Sequence, residues 1–98
     1  MRVYIIGPVT GCKDNNVRAF EDAASLVRKK GHAAFIPHMF VPKMSSWETA
    51  MRRSIEALLN CDEVCLLPDW RDSKGATIER NLAIDIGIPV RSLAYYAI

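Results

Sequence analysis

Short apolar runs alternate with amphipathic stretches along this chain, and the alternation predicts a parallel α/β fold. Val3 to Ile6 is a continuous apolar run ended by Gly7-Pro8, which is typical of a strand buried on both faces. Further strands are predicted at 33–36 and 64–67, each followed by a proline, and near 88–93.

Three amphipathic segments separate these strands and have recognisable ends. Asn15 or Asn16 is expected to cap the start of the first helix. Three cations and a glycine, residues 28–31, mark its end. Ser45 and Glu48 have capping-box spacing before the second helix, and Gly87 ends the third. The order β-α-β-α-β-α-β over 98 residues predicts one domain, 1–98. Its expected fold is a small doubly wound parallel sheet of Rossmann or flavodoxin-like type, with four strands and three helices.

Composition narrows the possible partners and the compartment. Thirteen Lys and Arg against eleven Asp and Glu leave a formal charge of +2, and the scattered cations argue against duplex nucleic acid as a partner. The three cysteines lack metal-ligand spacing and favour reduced thiols. All apolar runs are too short for a signal peptide or a membrane span. We expect a soluble cytoplasmic protein with no metal and no cofactor.

A polar loop from Asp69 to Glu79 lies between the third strand and the third helix. In an open α/β sheet the ligand crevice lies outside the carboxyl ends of the strands, so this loop is expected to border it. A hydroxyl and an unobstructed glycine backbone at the helix entrance suit a phosphate or a sugar, which the N–H groups and the helix dipole attract. The predicted lining residues are Gly7, Pro8, Thr10, Trp70, Ser73 and Gly75.

Glu79 is expected in the first turn of the third helix and has two interpretations. Carboxylates are favoured there because the helix dipole is positive, so most such residues have only an electrostatic role. Its place at the edge of the apolar stripe, one turn before Ala83, favours catalysis instead. The residues alone leave both interpretations open.

The segment from Pro37 to Met44 combines two prolines with several large apolar side chains. Folding back on the sheet edge, or contact with another subunit, fits this composition better than a substrate lid. His38 is interpreted as a surface or packing residue, and His32 as a cation at a helix end. Apolar side chains in excess of a small core predict a homodimer or larger homo-oligomer. They are Phe40, Val41, Met44, Trp47, Tyr95 and Tyr96.

Two segments resemble motifs of the nucleoside 2-deoxyribosyltransferase-like superfamily. Residues 4–11, YIIGPVTG, resemble its Y-x-x-G-P-x-x-G opening, and residues 73–83, SKGATIERNLA, resemble its S-x-G-x-x-x-E-x-G-x-A helix start. The order and spacing of shorter matches extend the resemblance over nearly the whole chain. It is strongest to a small branch of unknown function, mostly from phages and prophages, which implies the cytoplasm of a bacterium or of a phage-infected cell.

The resemblance implies chemistry at the glycosidic bond of a nucleoside or nucleotide. Glu79 matches the glutamate that attacks C1′ of a 2-deoxyribose and forms a glycosyl-enzyme ester, which water or a second base resolves with retention. Ser73 matches a serine that contacts the 5′-phosphate in the related deoxynucleoside monophosphate hydrolases. Tyr4, Gly7 and Pro8 belong to the opening motif and are assigned to substrate binding. Sites of the superfamily are often completed by a neighbouring subunit, which again implies a homo-oligomer.

Two positions depart from the superfamily pattern. Ser54 stands where the hydrolase branch has an aspartate that assists base protonation or sugar positioning, and a serine cannot be an acid or base at neutral pH. Asn81 replaces the motif glycine and predicts a looser approach of the helix to the first strand. The general acid is then expected to be Asp69 or Asp72.

Two function classes share this predicted pocket. The first is an enzyme that cleaves or transfers the N-glycosidic bond of a deoxynucleoside 5′-monophosphate, which Glu79 favours. The second is a nucleotide-binding or sequestering module with weak catalysis, which Ser54 favours. Trp70 is expected to stack on a base or to contact another subunit.

Overall fold

A computed structural model describes residues 1–98, and its core is a four-stranded, entirely parallel sheet. The strands are β1 (Arg2–Ile6), β2 (Ala33–Phe35), β3 (Glu63–Leu66) and β4 (Val90–Ser92), in the order β2-β1-β3-β4. The predicted doubly wound α/β fold is therefore confirmed. Because β2 lies on one side of β1 and the later strands on the other, the order reverses between β1 and β3, where such sheets bind ligands.

Four helices connect or follow the strands, one more than predicted. They are α1 (Val17–Lys29), α2 (Trp47–Leu59), α3 (Lys74–Asp85) and α4 (Leu93–Tyr96). The additional helix α4 is a single turn, which is too short to show an apolar period in the sequence. No helix is long and apolar enough to cross a membrane.

Two helix starts differ from their predicted caps. Helix α2 begins after Ser46, whose Oγ accepts a hydrogen bond from Thr49 N at 3.1 Å, while Ser45 donates to the Pro42 carbonyl. Helix α1 follows Asn16, but no side chain caps it, because residues 14–16 all have left-handed backbone angles. The Asn16 amide instead donates to the Pro8 carbonyl at 3.0 Å, which connects the loop after β1 to the start of α1.

Alternate residues of the strands form two separate apolar cores. Val3 and Ile5 of β1 pack on one face with α1 and α4, and Tyr4 and Ile6 pack on the other face with α2 and α3. Each fully buried large apolar side chain contributes about 1.5–3 kcal/mol to folding. The sheet is thus covered on both sides, as its continuous apolar strands require.

The face covered by α1 and α4 carries one buried polar group, Glu63. The Tyr96 hydroxyl donates to Glu63 Oε2, and Arg91 Nε lies 3.5 Å from Glu63 Oε1 in the single ion pair of the structure. Burial, followed by the bond to Glu63, raises the pKa of Tyr96 above its ordinary value, so the phenol remains a donor. These contacts attach α4 to β3.

The apolar segment after β2 folds back on the sheet edge. Pro37–Met39 forms a 3₁₀ turn, and the Phe40 ring lies 6.1 Å from the Phe35 ring of β2. His38 packs edge-on against Phe20 at 4.9 Å. The ring of His32, expected to act as a helix-end cation, lies instead 3.1 Å from the amino group of Met1.

Candidate functional site

The sequence predicted Glu79 in the first turn of α3. The structure places it on α3 but beyond the first turn. The helix begins after Ser73, so Glu79 is its sixth residue and lies in the second turn. The stabilising effect of the helix dipole falls off within the first turn and therefore contributes little at this position. The side chain points into the core side of the helix and is 6 % exposed.

Three elements bring polar side chains together around this carboxyl group. Tyr4 from β1 is fully buried, and Ser54 from α2 is 6 % exposed. Glu79 Oε2 and the Tyr4 hydroxyl are buried without any hydrogen-bond partner. The Ser54 hydroxyl donates to the Met51 carbonyl at 3.3 Å within its own helix. We call Tyr4, Ser54 and Glu79 the carboxyl cluster.

Burial dominates the electrostatics of the carboxyl cluster. Desolvation raises the pKa of Glu79 to about 7, and the neighbouring Ser54 hydroxyl opposes part of this rise. The pKa of Tyr4 is raised above its ordinary value by burial and then by the charge of Glu79. Glu79 is thus divided between its neutral and ionised forms near neutral pH. The helix dipole, which the sequence predicted to favour this carboxylate, is thus outweighed by burial.

Two glycines allow close packing at the crevice side of the sheet. A β-carbon on Gly7, directly after β1, would lie 2.4 Å from Leu67 Cδ1. A β-carbon on Gly75, the second residue of α3, would lie 2.9 Å from Met51 Sδ. The packing of Leu67 therefore requires glycine at position 7, whereas at position 75 the flexible end of Met51 can move aside.

The remaining residues of the motifs lie in the segments after β1 and before α3. Ser73 caps α3, since its Oγ accepts a hydrogen bond from Ala76 N at 3.1 Å, and its hydroxyl proton is free to donate to a ligand. Pro8 is buried and Thr10 is exposed.

Asp69 precedes the 3₁₀ turn Trp70–Asp72 that comes before α3, and Asp72 is the last residue of that turn. Both side chains are exposed, and neither carboxylate takes part in a hydrogen bond or an ion pair. The structure therefore leaves both predicted acids at the surface and does not bury them with Glu79.

Cations surround Trp70, a feature that sequence reasoning missed. The guanidinium carbons of Arg71 and Arg80 lie 4.4 and 4.8 Å from its ring centroid. Arg80 Nη1 donates to Asn81 Oδ1 at 2.9 Å. Asn81 is exposed, so its side chain does not lie between α3 and the sheet, and the looser approach of α3 to β1 stays a prediction. Residues 73, 77, 80 and 84 are three or four positions apart and therefore share one face of the helix. This spacing is the sequence signal that places Arg80 on the same face as Ser73, two turns further along.

No group of three or more His, Cys, Asp or Glu side chains is arranged to hold a metal ion. A cavity of about 130 Å³ lies between α2 and the edge strand β2, away from the carboxyl cluster. It is lined by Arg2, Phe35, Phe40, Arg53, Glu56, Ala57 and Asn60.

Comparison with known proteins agrees with the fold. A family model described as a domain of unknown function, DUF4406, matches residues 1–92. The 2-deoxyribosyltransferase of the psychrotolerant bacterium Bacillus psychrosaccharolyticus, a biocatalyst for the synthesis of nucleosides, is similar in structure, with a TM-score of 0.74. The two chains are 20 % identical, over 94 % of this chain and 71 % of the other. No curated protein sequence matches the chain.

Proposed function

The chain belongs to the DUF4406 family and has a nucleoside 2-deoxyribosyltransferase-like fold, and on this basis we propose that it cleaves or transfers the N-glycosidic bond of a deoxynucleoside 5′-monophosphate. The observation that carries the proposal is the carboxyl oxygen Oε2 of Glu79, which is buried without a hydrogen-bond partner. A buried acid without a partner costs the fold free energy of order 1–3 kcal/mol, and such groups concentrate at functional sites.

The proposed reaction uses Glu79 as the nucleophile. Its ionised carboxylate forms a bond to C1′ of the deoxyribose, the C1′–N bond breaks, and the electron pair leaves with the base, which takes up a proton. Water then forms a bond to C1′, gives up a proton, and releases Glu79 as a carboxylate. If a second base replaces the water, the reaction is a transfer. Two displacements at C1′ retain its configuration.

The carboxyl cluster supports this role for Glu79 in two ways. The Tyr4 phenol keeps its proton and has no other partner, so it can donate a hydrogen bond to the carboxylate and fix its orientation. The pKa of Glu79 near 7 leaves a substantial ionised fraction at neutral pH. The base must be protonated from water or from an exposed acid such as Asp69 or Asp72, since Ser54 cannot supply a proton.

The second candidate function is a nucleotide-binding module that uses the same crevice. Ser54 favours it, because a hydroxyl stands in the cluster where an acid would assist the leaving base. Loss of that acid slows base departure and leaves binding contacts in place. The two candidates therefore differ in turnover and agree in ligand.

Incubation with a panel of deoxynucleoside 5′-monophosphates tests the proposal. Chromatography is expected to show free base from at least one of them, and Glu79→Gln is expected to abolish its release with affinity changed by only a few-fold, because a nucleophile acts mainly in the transition state. The matched control is Glu56→Gln, an exposed glutamate of α2. Binding without base release supports the module. Turnover that persists in Glu79→Gln contradicts the mechanism.

A further inference from the structure

The turn before α3 carries a concentration of positive charge against aromatic rings. Arg71 and Arg80 both lie within 5 Å of the Trp70 ring centroid, and Lys74 Nζ lies 4.6 Å from the ring of Trp47. Trp70 itself packs on the apolar core that lies between the sheet and helices α2 and α3. Its ring is therefore a rigid support for the two guanidinium groups. We call Trp70, Arg71 and Arg80 the arginine platform.

The positive charges of the platform have no negative partner in the protein. The single ion pair of the structure is Glu63–Arg91, on the opposite face of the sheet. Asp69 and Asp72 lie directly beside the arginine platform in the sequence, yet neither carboxylate lies within ion-pair distance of a cation. Two guanidinium groups near one ring repel each other unless an anion lies between or beside them.

The start of α3 increases this positive potential. Its first residue is Lys74, and it has no acidic residue in its first turn, where the helix dipole would favour one. The cation therefore lies at the end of the helix that is already positive. Ser73 and the free N–H groups of this end lie next to the arginine platform along the chain.

Arg80 is held in place rather than free in solvent. Nη1 donates to Asn81 Oδ1 at 2.9 Å, and Nε is buried without a partner. A donor that is desolvated and unpaired costs free energy unless a ligand accepts from it. Guanidinium groups match phosphate oxygens in charge and in the spacing of their donors.

We propose that the arginine platform binds the phosphate group of the nucleotide whose sugar reaches Glu79. This inference rests on the proposed function for the identity of the nucleotide and adds the residues that recognise its phosphate. Arg80 donates hydrogen bonds from its unpaired N–H groups to the phosphate oxygens, Arg71 adds a second positive charge, and Asn81 orients Arg80.

Calorimetry with deoxynucleoside 5′-monophosphates, the matching deoxynucleosides and inorganic phosphate tests the platform. Arg80→Gln is expected to weaken monophosphate binding about tenfold or more, since charge-assisted hydrogen bonds are lost, and to leave deoxynucleoside binding within about twofold. Arg80→Lys restores part of the loss because the charge returns without the planar fork. Inorganic phosphate is expected to compete with the monophosphate in wild type and weakly in Arg80→Gln.

Two further variants separate recognition from folding. Arg71→Gln lies in an exposed turn and is expected to reduce monophosphate binding with an unchanged thermal unfolding midpoint, even if Arg80→Gln folds poorly. The matched control is Arg28→Gln in the last turn of α1, where an exposed arginine lies far along the chain from the site. Equal losses for monophosphate and nucleoside, or no loss in either platform variant, overturn the inference.

Failure of the inference can be distinguished from failure of the proposed function. If base release depends on Glu79 but Arg71→Gln and Arg80→Gln bind monophosphates as wild type does, only the platform is refuted. If the platform variants lose monophosphate binding but wild type releases no base, the platform is supported and the protein is a binding module.

Discussion

Burial and then the charge of Glu79 raise the pKa of the Tyr4 phenol, although Tyr4 and Glu79 come from β1 and α3, 75 positions apart in the sequence. Neither group has a hydrogen-bond partner for its buried oxygen. The fold thus buries the Glu79 carboxyl and the Tyr4 phenol in the same region and leaves part of their hydrogen-bonding capacity unused. A ligand hydroxyl could form these missing hydrogen bonds. The Tyr4 phenol could also donate a hydrogen bond to the Glu79 carboxylate when that group is ionised.

The stability of the protein is expected to depend on pH through Glu79. Its pKa is about 7 in the folded state and 4.5 as the ordinary value, so the folded state binds the proton more tightly. The resulting stabilisation is full below pH 4.5 and is lost as pH rises through about 7. The loss is at most about 3.5 kcal/mol, since each pKa unit corresponds to about 1.4 kcal/mol.

Urea unfolding of wild type and Glu79→Gln at pH 5 and pH 8 measures this effect. Glutamine stays neutral, so the variant is expected to gain stability relative to wild type at pH 8 and to show a flatter pH dependence. Glu56→Gln, which changes an exposed side chain, is the control. If wild type releases base, its rate is expected to rise with pH through about 7, because the ionised carboxylate is the nucleophile. An identical pH dependence of stability in wild type and Glu79→Gln would contradict the assigned pKa.

Ser54→Asp tests whether the cluster is a weakened catalytic site. The new carboxyl would be buried beside Glu79, where two negative charges cannot both be stable, so the pair is expected to hold a shared proton. We expect the free energy of unfolding to fall by about 1–3 kcal/mol and base release to appear or increase. Ser54→Asn, similar in size and uncharged, is the control for packing. Equal base release in both variants argues against an acid role at this position.

Ser73→Asp tests whether the phosphate of the ligand lies beside Ser73. Aspartate caps helices as well as serine does, so α3 is expected to keep its start and its stability within a few tenths of a kcal/mol. The added negative charge repels a phosphate and is expected to weaken monophosphate binding while sparing the deoxynucleoside. Ser46→Asp makes the same exchange at the cap of α2 and serves as the control. Equal weakening for both ligands shows that Ser73 does not face the phosphate.

Gly7→Ala is expected to destabilise the fold more than Gly75→Ala. The new methyl group at Gly7 meets Leu67 Cδ1 at 2.4 Å in the core, whereas at Gly75 it meets the flexible end of Met51 at 2.9 Å. Overpacking costs about 1–3 kcal/mol in the first case, and in the second a gain in helix propensity of about 1 kcal/mol offsets the contact. Thermal unfolding of both variants measures the difference. Gly7→Ala combined with Leu67→Ala should lose less stability than the sum of the two single variants if this contact is the cause.

The protein is predicted to form a homodimer or larger homo-oligomer. Large apolar side chains remain exposed on the segment after β2, with Met44 fully exposed and Met39 55 % exposed. Multi-angle light scattering at micromolar concentration is expected to give at least twice the mass of one chain, which is 11.0 kDa. Met39→Ser with Met44→Ser is expected to shift the distribution toward single chains. A single-chain mass for wild type contradicts the prediction.

The sequence was sufficient for the sheet and for the three long helices, because apolar runs and turn residues are local signals. The cap of α2 was misplaced by one residue, since Ser45 has capping-box spacing to Glu48 and only the backbone shows that the neighbouring Ser46 is the cap. The carboxyl cluster was not predictable as a unit: Ser54 and Glu79 meet only because α2 and α3 pack on the same face of the sheet. The position of Arg80 over Trp70 depends in the same way on how a turn folds onto a helix.

Each face of the sheet contains one buried glutamate, and their surroundings differ. Glu63 is fully engaged by Tyr96 and Arg91, whereas Glu79 is not. Residues 93–98, which include α4, lie outside the family match and attach to the Glu63 side. The sheet therefore acts as a partition between a carboxyl group whose hydrogen bonds are made within the chain and one that keeps hydrogen-bonding capacity unused. Substitutions in α4 are expected to disturb the first carboxyl group and to leave the second unchanged.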